Sequence, residues 1–341
     1  MVGTSLRIGI SLQTESSQRP ENKIRSSLLL TLTALIWGLA FVAQRVGMDF
    51  IGPFLFMGIR MILGALTLLI VVFVQGLWQS AHRTDKGIEP LKTPAASQTE
   101  ARMGPKRLVI AGMAGGSVLF LAGCLQQIGL VYTTASKAGF LTALYIVLVP
   151  ILGILIKKRT HWNTWVSVLV ALVGLYFLCI TETLRITSGD LVILIAAFFW
   201  ACHILVVDHF VKGLTQRDLL KFCIAQFTVA AVMSLICFPF FDGRFVSGAF
   251  EMASLIGALP FVLYVGVLST GVAFTLQALG QQGINPSAAS IIMSLEAVFS
   301  VIGGMVILHE IMSSREVIGC VLMFTAVILS QLSFKQRERG T

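Results

Sequence analysis

Residues Asn285–Glu310 read NPSAASIIMSLEAVFSVIGGMVILHE. Asn-Pro-Ser opens a helix, because Pro286 fits the first turn, where its missing N–H costs nothing. From there the stretch is apolar and small as far as His309-Glu310, interrupted near its middle by one carboxylate, Glu296. A helix needs about 20 apolar residues to cross a hydrocarbon core, and this stretch is long enough. Glu296 then sits near mid-bilayer, at a cost of about 2.5–3.5 kcal/mol on insertion scales. A carboxylate held there faces protein or a wet interior. Two readings stand: a neutral glutamic acid hydrogen-bonded for packing, or a group beside a solute path.

The same pattern fills the chain. Of 341 residues, 56% are hydrophobic and 12% charged, with mean hydropathy +0.88. Soluble domains carry about 25% charged residues, so this is an all-α membrane protein. Its apolar blocks predict ten spans, at about 26–46, 53–74, 107–130, 137–156, 162–181, 188–210, 218–240, 253–279, 285–308 and 314–334. Residues 1–25 and 335–341 read as cytoplasmic tails. Gln75–Lys106, polar and rich in Pro, Ser and Thr, reads as a flexible loop outside the membrane. The LRIGISL run near the start is too short for a signal-peptide core.

The net charge of +9 is no nucleic-acid footprint, because the basic residues cluster in short segments between apolar blocks. With the N-terminus inside, the outer connections hold only Arg185, Arg244 and Arg315; the remaining basic segments, such as Lys157-Lys158-Arg159, fall inside. That bias puts both termini in the cytoplasm of a multi-pass plasma-membrane protein, the inner membrane in a bacterium. The six cysteines all lie in apolar blocks, without metal-ligand spacing. No cofactor is expected, and the chain reads as a monomer or homodimer.

The halves resemble each other. Leu125-Gln126-Gln127-Ile128-Gly129 matches Leu276-Gln277-Ala278-Leu279-Gly280 at an offset of 151 (277 − 126), and the same offset lays Tyr145 on Glu296. Leu35-Ile36-Trp37 matches Phe198-Phe199-Trp200 at 163 (200 − 37), the difference being taken up by the long loop. Two copies with five spans each, over 26–181 and 188–334, must insert in opposite senses. An inverted repeat of this kind places a binding site between the halves near the midplane and gives alternating access by rocking. Gly112, Gly115, Gly116 and Gly123 include a Gly-xxx-Gly pair suited to close helix contact, and Gly303-Gly304 offers another. Pro150 predicts a kink in the fourth span.

On these residues the sequence resembles the EamA-type branch of the drug/metabolite transporter superfamily. ALIWGLAFVAQRVGMDFIGPFLFMGIRMILGAL is similar to that family's Trp-Gly opening and its Arg at the head of span 2, here Trp37, Gly38, Phe41 and Arg60. LEAVFSVIGGMVILHE is similar to its Glu-Pro-Val-Phe…Gly-Glu ending; Ala297 replaces the proline and His309 the glycine. The resemblance covers nearly the whole chain and implies ten helices, an inverted repeat and secondary transport of small metabolites, often outward. The second half departs more: Trp200-Ala201-Cys202-His203 opens it, and Gln226 falls roughly where Arg60 would. The site should therefore be asymmetric.

The polar and aromatic groups inside spans are few. Arg60, about two turns into span 2, needs an acceptor or an anionic solute group. Gln126 and Gln277 can present donors and acceptors from opposite halves or simply join helices. Trp37, Trp200 and Tyr145 can wall a cavity or pack a core. His203 changes charge near neutral pH and with Glu296 is a candidate for proton coupling. Arg45 and Lys137 sit at outer helix ends and are expected to snorkel; Asp208 and His209 are expected to be solvated. The leading expectation is a secondary active exporter or exchanger of small solutes, such as amino acids. The rival is a proton-coupled multidrug exporter using Glu296. No Ser/Lys pair, His-Glu-x-x-His or paired intramembrane Asp supports an enzyme, and a scaffold leaves the embedded polar residues of both halves unexplained.

Overall fold

The computed structural model describes residues 20–83, 103–133, 135–158, 160–179, 187–245, 251–308 and 313–332. Every apolar block is helical: α1 (Pro20–Gly47), α2 (Pro53–Arg83), α3 (Pro105–Tyr132), α4 (Ala135–Ala143), α5 (Tyr145–Leu155), α6 (Trp162–Cys179), α7 (Ser188–Val211), α8 (Gln216–Phe241), α9 (Met252–Leu263), a π-helix (Tyr264–Ala273), α10 (Phe274–Gln281), α11 (Pro286–Met293), α12 (Glu296–Leu308) and α13 (Ser314–Gln331). Among the described residues, 8 helical segments are long and apolar enough to span a membrane, and Trp162–Leu178 and Pro286–Ile302 are shorter apolar helices.

Local chemistry sets the starts. Four helices, α1, α2, α3 and α11, begin on proline, whose fixed φ and missing N–H suit a first turn. Asn285 caps α11 by accepting from Ser287 N at 2.9 Å. Thr187 with Asp190 and Ser313 with Glu316 form capping boxes on α7 and α13. Asp242, fully buried after α8, accepts from Phe54 N at 3.0 Å and Leu55 N at 2.7 Å, and so ties the end of α8 to the start of α2.

Three blocks expected as single rods are not. The fourth breaks at Leu144, between α4 and α5, and the ninth at Ser294-Leu295, between α11 and α12. At both breaks the ladder tightens to i→i−3 bonds: Leu144 N to Leu141 O at 3.3 Å, and Leu295 N to Ile292 O at 3.2 Å. Pro150, the expected kink, lies further along inside α5. The eighth block passes through the π-helix, a conformation that seldom exceeds a single turn and frequently marks a functional site. The Gln75–Lys106 loop also shrinks from both ends, since α2 runs to Arg83 and α3 starts at Pro105. Residues 84–102, most of the N-terminal tail, the whole C-terminal tail and the His309-Glu310 ending lie outside the described residues.

Helices α2 and α3 both pack on α8, α3 also on α7, and α6 on α13. Helix α1 packs on α12, α10 and the π-helix, while α4 and α5 pack on α7. The expected Gly-xxx-Gly contact forms between α3 and α8: a Cβ at Gly112 would lie 2.7 Å from that of Ala225, and one at Gly116 2.5 Å from that of Val229. Large apolar side chains such as Phe73, Leu155 and Ile256 stay exposed around the outside, the surface a bilayer covers.

Candidate functional site

The polar side chains of the interior converge where the broken helices meet α1, α2, α3, α7 and the π-helix. Arg60, Gln126, Tyr145, Trp37, Trp200, Gln277 and Glu296 line one cavity, together with Gln44, Thr142 and Ser269. Phe41, Ile204 and Phe274 complete its wall. The free volume is about 30 Å³, room for a water molecule or two.

Tyr145 and Glu296 each open a helix just past a break, and the Tyr145 hydroxyl donates to Glu296 Oε1 at 3.2 Å. Their separation of 151 residues equals the repeat offset, so equivalent positions of the two halves touch each other. Glu296 is 3% exposed. Gln126 Oε1 accepts from Trp200 Nε1 at 2.6 Å, while Trp37 Nε1 donates to the Ser269 carbonyl at 3.1 Å. The indoles pack on Phe274, at 4.9 Å for Trp37 and 6.0 Å for Trp200, and give the cavity an aromatic side.

Arg60, 4% exposed, donates from Nη1 to Gln44 Oε1 at 2.9 Å and from Nε to Thr270 Oγ1 at 3.2 Å. Among the described residues no ion pair joins it to Glu296. Thr142 Oγ1, Ser269 Oγ and Gln277 Oε1 are buried and have no hydrogen-bond partner among the described residues. Gln44 is a site residue that the sequence reading missed. Beside Arg45 at a span's end it looks like an interfacial group, but side chains lean toward the helix N-terminus, and its amide reaches Ala40 O at 3.2 Å. Thr142, Ser269 and Thr270 carried no signal, since lone hydroxyls are ordinary in membrane helices; nor does any periodicity betray a π-helix.

Three side chains are placed differently from expectation. His203 does not line the cavity. Ile204 takes the inward position one turn after Trp200, and His203 flanks it, fully buried, with Nε2 3.1 Å from Gln226 Oε1. Among the described residues its polar partner is Gln226, not Glu296. Asp208 is not solvated: it is 1% exposed and paired with Lys158 and Lys212. The cause is local, because Lys157 at φ 62° closes α5 and Lys158 N bonds back to Gly153 O at 2.8 Å, turning the chain toward α7. Lys137 does more than snorkel, as it pairs with buried Asp190 at 2.5 Å. Arg45 pairs with Asp49 at an exposed end, and His209 is exposed as expected.

Comparison with known proteins shows the family of the chain. The model of the EamA-like transporter family matches twice, over residues 24–180 and 187–332. An uncharacterized transporter of Archaeoglobus fulgidus is 29% identical over 313 residues, spanning 91% of this chain and 87% of its own. The uncharacterized transporter YoaV of Bacillus subtilis is 24% identical over 322 residues, spanning 92% and 99%. A solved crystal structure superposes with TM-score 0.66 at 17% identity, over 90% of this chain and 96% of that one, a likeness of fold. An all-helical membrane protein with a polar cavity at its centre and these relatives is a transporter rather than an enzyme, and the chain belongs to the EamA-like transporter family.

Proposed function

We propose that this transporter carries small polar metabolites, amino acids or related solutes, by alternating access around the central cavity. The carrying observation is the Tyr145–Glu296 contact, in which two repeat-equivalent helix breaks meet at one buried polar point. Residues related by an approximate twofold axis touch only where that axis passes. The packing supports the same symmetry. Exchanging 26–181 with 188–334 turns the α1–α12 contact into that of α7 with α5, and the α3–α8 contact into that of α2 with the π-helix. These contacts support a reading of ten helices in two oppositely inserted repeats, and the charge bias of the connections supports cytoplasmic termini. With about 30 Å³ free, the cavity must widen around a solute, and rocking of the halves does this from either side. Export or exchange across the plasma membrane follows the resemblance, with protons as the coupling ion through Glu296.

The alternative, a proton-coupled multidrug exporter, draws on the aromatic side formed by Trp37, Trp200 and Phe274 around a carboxylate. Arg60 in the same cavity repels a lipophilic cation and favours the metabolite reading. Counterflow of a labelled amino-acid mixture in proteoliposomes tests the site. Glu296→Gln and Gln277→Ala are expected to cut the rate at least tenfold with the melting temperature unchanged. Wild-type rates in both would remove the cavity from the transport path. Tight binding of a lipophilic cation, lost in Glu296→Gln, would favour the drug reading.

A further inference from the structure

We infer that Gln44 and Thr270 set the charge selectivity of the cavity by holding Arg60 with neutral acceptors and so keeping its charge for an anionic group on the solute. The inference rests on the cavity being the transport site. Arg60 has polar contacts with one carboxamide oxygen and one hydroxyl, at 2.9 and 3.2 Å, which orient the guanidinium without neutralising it. Glu296, in the same cavity, is engaged by the Tyr145 hydroxyl, again a neutral group. A guanidinium and a carboxyl group thus line one buried space, and among the described residues no ion pair joins them.

A buried unpaired charge is costly, and a solute that brings a carboxylate to Arg60 and a cationic group to Glu296 relieves both at once. Thr142 Oγ1, Ser269 Oγ and Gln277 Oε1, without a partner among the described residues, lie in the same wall for the polar body of that solute. With Glu296 ionised, the two charges cancel, which matches a solute of no net charge. A doubly charged phosphate would leave the cavity negative, and a lone amine would face Arg60 with nothing to offer it. Selectivity of this kind is a difference between affinities, and it is lost once the protein supplies its own anion to Arg60. Gln44 Oε1 already lies at ion-pair distance, so Gln44→Glu changes the charge at nearly constant shape; Thr270→Asp does so from the opposite side.

The test uses purified full-length protein. The twenty proteinogenic amino acids are screened for thermal stabilisation, and the best responder is compared with its decarboxylated amine. The wild type is expected to prefer the amino acid at least tenfold. In Gln44→Glu and Thr270→Asp that ratio is expected to fall at least tenfold, because the amino acid loses affinity while the amine holds or gains. An unchanged ratio in either folded variant overturns the inference and leaves the transport site standing. A wild type that binds the amine as tightly as the amino acid overturns it without any variant. So does a wild type that responds to none of the twenty, and the Glu296→Gln counterflow assay then judges the site separately.

Discussion

Helices α4–α5 and α11–α12 break at equivalent places, yet they are fastened in different ways. The first pair is pinned to α7 at both ends: Lys137 reaches buried Asp190 at one, and Lys158 reaches buried Asp208, which Lys212 at the end of α7 also pairs, at the other. The second pair has no ion pair among the described residues and instead lies tight against α1. A Cβ on Gly38 would sit 2.5 Å from the Glu296 carbonyl oxygen and 2.8 Å from Phe299 Cβ. The chemistry at the breaks differs as well, a phenol in one half and a carboxylate in the other. The two breaks share a backbone geometry while their side chains differ: α4–α5 is anchored to α7 by charge, and α11–α12 brings a buried carboxyl group to the central cavity.

Removing the anchor is the strongest way to break this comparison. Lys158→Ala with Lys212→Ala removes both cations that pair with Asp208 among the described residues and leaves its carboxylate, 1% exposed, buried. Losing the partners of a buried charge costs about 3–5 kcal/mol. The double variant should therefore show a large drop in melting temperature, and Asp208→Asn added to it should restore much of the loss. Lys212→Ala alone, at a side chain 51% exposed, should cost under about 1 kcal/mol. A double variant as stable as the wild type would mean that the anchor holds nothing.

A second prediction addresses the tight side. At the repeat offset of 163 (201 − 38), Gly38 corresponds to Ala201, so α7 accommodates a methyl group where α1 has no room for one. Gly38→Ala forces α12 away from α1 and should cost about 1–3 kcal/mol, the range for overpacking, with transport reduced more than stability suggests because Glu296 moves with α12. Ala201→Gly should cost about 1 kcal/mol in helix propensity and leave the counterflow rate near wild type. Equal effects at the two positions would erase the distinction between the halves.

How much of this was legible in the sequence follows the physics of each signal. Hydrophobic blocks are local, as is the Asn-Pro start at Pro286, and they marked the helices; the repeat offset paired Gln126 with Gln277 and Tyr145 with Glu296. What stayed hidden depends on side chains meeting across the bundle. Gln44 looked like a helix end, and Asp208 looked solvated until the turn at Lys157 brought Lys158 over it. His203 carried the right chemistry one position away from the inward face. The π-helix, which supplies Thr270 to Arg60, has no sequence period to recognise over a single short stretch.

The smallest effect is expected at Pro150, and it tests what makes the breaks. A proline inside a helix removes one backbone bond and is the usual suspect for a bend. Here α11–α12 breaks in the same way with Val301 at the equivalent position and with Ala297 directly after Glu296, so no proline is needed. The shared element is the tightened i→i−3 turn at Leu144 and at Leu295. Pro150→Ala should accordingly change stability by no more than about 1 kcal/mol, the range of mild substitutions, and keep the counterflow rate within twofold of wild type. A collapse of transport in a well-folded Pro150→Ala protein would show that the first half bends for its own reason, and the symmetry of the two breaks would then be coincidence.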